Sequence, residues 1–120
     1  MGPAGRIVAV IEDEPAQAEA LALVLRDHGA EVAVGAHPRE IVKQLGPRVA
    51  DIGWIITDFD LGEGKNGIEL ANDMVAASAP RARVLVLSSA IDARLISQSG
   101  FDAMDKPAQV DKIMAWLERA

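Results

Sequence analysis

Short apolar runs that do not alternate with polar residues constrain this chain more than any other feature. Ile7-Val8-Ala9-Val10-Ile11, Trp54-Ile55-Ile56-Thr57 and Val84-Leu85-Val86-Leu87 stand out, with Glu31-Val32-Ala33-Val34 a weaker case. A strand with one wet face alternates apolar and polar residues, whereas a strand covered on both faces does not. Runs this short are also below helical length. They predict strands of a parallel sheet with helices on both sides, and Ala103-Met104 is the expected fifth strand.

Helical spacing fills the intervals. After Pro15, apolar residues recur at Ala18, Leu21, Ala22 and Leu25, and Gly29 lies just past the end. Proline at a helix start and glycine beyond its end are the usual punctuation. Ile41, Val42 and Leu45 mark a second helix between Pro38 and Gly46-Pro47. Ile68, Leu70, Ala71, Met74 and Val75 mark a third, stopped near Pro80, and Ile113, Met114, Trp116 and Leu117 mark the last, opening near Gln109. A strand-helix order repeated five times predicts an α/β fold, a doubly wound five-stranded parallel sheet flanked by helices.

The residues that follow each strand carry the chemistry. Glu12-Asp13-Glu14 follows the first strand, Asp58-Phe59-Asp60 the third, Ser88-Ser89 the fourth and Lys106-Pro107 the fifth. Ligands of open α/β sheets bind outside the carboxyl ends of the strands, where the winding reverses. Each piece alone has a structural reading. Acidic residues suit a helix N-terminus, Asp suits turns, Ser caps helices, and Lys-Pro occurs in surface turns. Four strand ends with complementary groups are much more specific. Clustered carboxylates repel unless a cation sits among them. Oxygen-only donors suit a hard ion, Mg²⁺ or Mn²⁺ in its place. A carboxylate among them can attack phosphorus to form an aspartyl phosphate.

Composition narrows the partners. A chain of 120 residues holds one core of useful size, so residues 1–120 are read as a single domain. The net charge of −6 and the lack of a Lys/Arg stripe argue against nucleic acid. The apolar runs fall far short of a membrane span, and no secretory apolar segment opens the sequence. With no cysteine, disulfides and thiolate metal sites are excluded, and a cytoplasmic location is the default expectation.

In combination and order, these motifs resemble the receiver domain of two-component response regulators, with its CheY-like, flavodoxin-like (βα)5 fold. The matching pieces are Val8 to Pro15, Ile55 to Leu61, Asn66 to Leu70, Val84 to Ser88 and Asp105-Lys106-Pro107, so the resemblance covers essentially the whole chain. It implies that Asp58 is the phosphoryl acceptor in a histidine-aspartate phosphorelay. It further implies that Asp13 binds Mg²⁺ directly, that Glu12 acts on the metal at least through water, and that the backbone carbonyl of Asp60 completes the site. Ser88 matches the switch hydroxyl and Lys106 the lysine that pairs with the phosphoryl group. The implied partner is a histidine kinase or histidine phosphotransfer protein. The surface of the fourth helix, fifth strand and last helix is the implied homodimer face. Such a domain is a phosphoacceptor with possible autodephosphorylation, not a turnover enzyme.

Several positions depart from the family pattern. Ala103 stands where an aromatic switch residue is usual, and Phe101 is two positions away. Leu61-Gly62-Glu63-Gly64-Lys65 replaces the usual proline soon after the acceptor. Few residues link the fourth strand to Lys106, which implies a shortened fourth helix. Ile91 to Gly100 is accordingly expected to be the most mobile segment, ordering when Ser88 moves toward the phosphoryl group. Asp60 is expected to tune the lifetime of the aspartyl phosphate. Two other readings compete: a haloacid-dehalogenase-like phosphatase built on Asp58 and Asp60, and a pseudo-receiver that keeps the fold without phosphorylation.

Overall fold

A computed structural model of the chain describes residues 7–59, 67–77, 82–88, 100–105 and 110–119. Five strands, β1 (Ile7–Ile11), β2 (Glu31–Gly35), β3 (Ile52–Asp58), β4 (Arg83–Ser88) and β5 (Asp102–Asp105), form one parallel sheet in the order β2-β1-β3-β4-β5. Among the described residues the helices are α1 (Pro15–Asp27), α2 (Pro38–Leu45), α3 (Gly67–Ala77) and α4 (Val110–Glu118). The expected fourth helix falls between Ser88 and Gly100, outside the described residues, so α4 corresponds to the last helix of the sequence reading. The segment expected to be mobile lies outside them too, apart from Gly100.

The unalternated runs are explained by two core halves, one on each side of the sheet. Ile7, Ala9 and Ile11 of β1 point into one half with Ile41 of α2 and Leu70, Ala71 and Met74 of α3. Val8 and Val10 point into the other with Ala22 and Leu25 of α1 and Ile113, Trp116 and Leu117 of α4. Successive side chains still alternate in direction; both faces are simply dry. Fully burying an aliphatic side chain such as Ile55 stabilises by about 1.5–3 kcal/mol.

One irregularity sets the phase of β3. Ile7 pairs with Ile52 but Val8 pairs with Trp54, so Gly53 is an extra residue in the ladder. Ile52 and Trp54, two residues apart, consequently lie in opposite core halves. A bulge of this kind flips the alternation beyond it. It places Trp54, Ile56 and then Asp58 toward α1 and α4, with Ile55 and Thr57 toward α3.

The helix ends follow the sequence signals. Pro15 opens α1, and beyond its end Gly29 adopts φ 92° while the Ala30 amide donates to the Leu25 carbonyl at 3.1 Å. Pro38 opens α2, where His37 Nδ1 accepts from the Arg39 amide and Glu40 Oε2 accepts from the Ala36 amide at 2.8 Å. Two local features differ from the sequence reading. Val42 is 38% exposed and outside the core, because an eight-residue helix packed through Pro38 and Ile41 turns its next position to solvent. Gly46-Pro47 does not simply end α2 but opens a 3-10 helix, Gly46–Asp51, leading into β3.

Candidate functional site

The carboxyl ends of β1 and β3 lie side by side because Ile11 pairs with Thr57 in parallel register. The next residue on each strand is therefore acidic, Glu12 after β1 and Asp58 at the end of β3. The Glu12 amide donates to the Gly35 carbonyl at 3.0 Å, and the Phe59 amide donates to the Leu87 carbonyl at 2.9 Å. These bonds carry the ladder one step past each acidic strand end and hold its backbone.

One carboxylate oxygen from each of Glu12, Asp13 and Asp58 lies within 4.8 Å of the other two. Asp58 is only 5% exposed, Glu12 is half-buried, and Asp13 is open to solvent. Glu12 Oε1 accepts the Glu14 amide at 3.0 Å, which fixes one carboxylate edge at the mouth of α1. Three like charges at this separation favour a cation between them, and an all-oxygen donor set fits a hard divalent ion such as Mg²⁺. The cluster has this composition in the protein's own residues, so the site fits the expected metal.

Ser88 is buried at the end of β4, one residue past Leu87, the register partner of Asp58. It pairs across the sheet with Asp105, the residue before Lys106. Of the six expected site residues, four are thus placed at one end of the sheet and three of them converge. Asp60 and Lys106 lie outside the described residues. A cavity of about 560 Å³ opens beside Asp58, between α1 and α4. Val10, Ile56 and Leu87 give it an apolar lining, and Glu12 and Gln17 add polar groups beside Asp58.

A family model for the response regulator receiver domain matches residues 8–118. The chain belongs to the response regulator receiver domain family. It is a receiver domain of two-component signalling. It is 29% identical to a Burkholderia pseudomallei response regulator whose crystal structure holds a phosphorylated aspartic acid, a calcium ion and citrate. That match covers 95% of this chain and 67% of the other at a TM-score of 0.76. The Clostridium thermocellum receiver domain protein matches at 19% identity and a TM-score of 0.79, covering 93% of this chain and 90% of that one. The Vibrio cholerae chemotaxis protein CheY4 matches at 20% identity and 0.76, covering 95% and 97%. These last two likenesses bear on the fold. The family match also weighs against the haloacid-dehalogenase-like reading, whose aspartate pair normally follows the first strand, whereas Asp58 ends the third.

The departures noted in the sequence have a structural counterpart. Ala103 is exposed on β5 opposite Val86, and Phe101, just before β5, packs against the α2/α3 half of the core. Sequence reasoning also passed over Thr57, which is buried and donates through Oγ1 to the Asp58 carbonyl at 3.1 Å. Only its polar hydroxyl at the end of an apolar run signalled it. No helix among the described residues is long and apolar enough to cross a membrane.

Proposed function

We propose that Asp58 accepts a phosphoryl group from the phosphohistidine of a histidine kinase or histidine phosphotransfer protein, with Mg²⁺ bound by Glu12, Asp13 and Asp58. The observation that carries this reading is the convergence of those three carboxylates around a nearly buried aspartate at the strand ends. An Asp58 oxygen attacks phosphorus, the P–N bond breaks, and the imidazole leaves with its electron pair. The metal, when bound, neutralises charge on the phosphoryl oxygens and offsets repulsion among the carboxylates. The backbone carbonyl of Asp60 would help hold that ion, while Lys106 would pair with one phosphoryl oxygen and Ser88 would donate to another. Attack by water later returns the Asp58 carboxylate and inorganic phosphate, so the domain is an acceptor and not a turnover enzyme. Asp60 modulates that decay. In cells the domain works in the cytoplasm, and β5 with α4 forms part of a self-association face.

Incubation with Mg²⁺ and acetyl phosphate should add the mass of one phosphoryl group, and Asp58→Asn should remove that gain entirely. Persistence of the added mass in Asp58→Asn would sink the assignment. An unmodified wild-type protein that also ignores beryllofluoride would instead establish the pseudo-receiver reading.

A further inference from the structure

Glycines of this chain are compelled by geometry for two different reasons. Gly46 and Gly100 adopt φ +58° and +82°, and a Cβ added to either would meet nothing within 4 Å. They are glycine for backbone conformation. Gly67, the first residue of α3, is buried and has no such φ, yet an added Cβ would lie 2.0 Å from the Asp58 carbonyl oxygen. The same Cβ would lie 2.8 Å from the Asp58 carbonyl carbon and 2.9 Å from Thr57 Oγ1. Gly67 is glycine for proximity alone.

We propose that Gly67 and Thr57 are positioning residues for Asp58, together setting the direction of the acceptor carboxylate by clamping the peptide that follows it. The Thr57 hydroxyl donates to the Asp58 carbonyl at 3.1 Å. The bare α-carbon of Gly67 closes on the same carbonyl beside that hydroxyl. The Gly67 amide donates to the Phe59 carbonyl at 2.8 Å, and the Phe59 amide to Leu87 at 2.9 Å, so both peptides after Asp58 are held. The Asp58 side chain faces α1 and α4 while its carbonyl is gripped from the α3 side. Rotation of this peptide therefore swings the carboxylate relative to Glu12 and Asp13. A methyl group at Gly67 cannot share 2.0 Å with an oxygen, so α3 and the end of β3 would part by more than 1 Å. A misplacement of about 1 Å at reacting atoms costs roughly 100-fold in rate.

The proposal rests on Asp58 as acceptor, and its test separates the two. We would compare wild type with Gly67→Ala, Thr57→Val, Thr57→Ser and the remote control Gly46→Ala. Each is followed by thermal unfolding, by the rate of phosphorylation from acetyl phosphate at saturating Mg²⁺, and by Mg²⁺ affinity. Gly67→Ala should fall about 100-fold in rate. Thr57→Val should fall less, with Thr57→Ser restoring most of the loss. Gly46→Ala should lose stability through backbone strain and keep its rate. A Gly67→Ala protein phosphorylated like wild type, or one whose rate merely follows its stability as in Gly46→Ala, overturns the proposal. Should Gly67→Ala fail to fold, the Thr57 pair decides: equal rates for valine and serine overturn it. Should wild type take no phosphoryl group, the acceptor reading fails, and Mg²⁺ affinity decides the clamp. Weaker binding in Gly67→Ala and Thr57→Val but not in Gly46→Ala supports it; unchanged binding overturns it.

Discussion

At the carboxyl ends of β1 and β3, three carboxylates gather within 4.8 Å of one another, while at the amino ends of β4 and β5 opposite charges interlock. There Arg83 opens β4 and donates to Asp102 Oδ2 at 3.2 Å, and the Trp116 indole donates to the same oxygen at 2.6 Å. The guanidinium lies 4.9 Å from the centre of the Trp116 ring and also donates to the carbonyls of Trp116 and Arg119. A cation on the last carbonyls of α4 satisfies groups that the helix leaves unpaired and complements its dipole. One end of the sheet concentrates like charge. The other balances charge with the protein's own groups and ties α4 to the sheet. Clustered like charge and paired opposite charge thus lie at opposite ends of the same sheet.

The sharpest way to break this comparison is at the acidic end. Asp13→Asn should weaken Mg²⁺ binding by at least about tenfold, since even outer groups around a metal site are worth that much. Glu12→Gln should weaken it less, because its carboxylate is already engaged with the Glu14 amide. Equal Mg²⁺ affinity in wild type and Asp13→Asn, by calorimetry, would mean the cluster is not the metal site.

At the opposite end the effect should appear in stability alone. Arg83→Ala removes a charged hydrogen-bond donor and a cation–π contact, for a loss of about 2 kcal/mol. Denaturant unfolding should register that loss while phosphorylation and Mg²⁺ affinity stay at wild-type values. A change in phosphorylation rate would show that the two ends are coupled. Trp116→Phe, which keeps the ring but loses the donor to Asp102, should cost about 1 kcal/mol. No loss at all would place the stabilisation in the Arg83 contacts only.

The smallest effect sharpens the contrast. Without Mg²⁺, Asp13→Asn should be more stable than wild type by about 0.5 kcal/mol, because it removes one of three mutually repelling charges. Saturating Mg²⁺ should reverse the order, since ligand binding stabilises the folded state in proportion to affinity. A variant less stable than wild type in both conditions would show that Asp13 serves the fold.

Much of this architecture was legible from local signals. β1 was readable to the residue, because five buried apolar residues in a row have few alternatives at that length. The prolines before α1 and α2 and the glycine after α1 act within a few residues of themselves, so they marked helix ends before any packing was known. The places of Glu12, Asp13, Asp58 and Ser88 were legible because each lies at, or within two residues of, the end of a strand. Other features were invisible for the converse reason. Val42 looked like part of an apolar stripe, and only the short α2 packing through Ile41 left it outside. The bulge at Gly53 depends on which residues of β1 and β3 pair, and a lone glycine in a strand does not announce its partner.

By itself the sequence determined that the chain is a parallel α/β sheet with acidic residues at the ends of its first and third strands. Strand and helix patterns are set by residues near one another along the chain. Tertiary structure alone decided that Glu12 and Asp13 meet Asp58, that the Asp58 side chain faces α1 and α4, and that its carbonyl lies against the bare α-carbon of Gly67. Those distances join residues far apart in sequence. They are fixed by sheet register and by how closely α3 can approach β3, quantities that exist only once the sheet has formed.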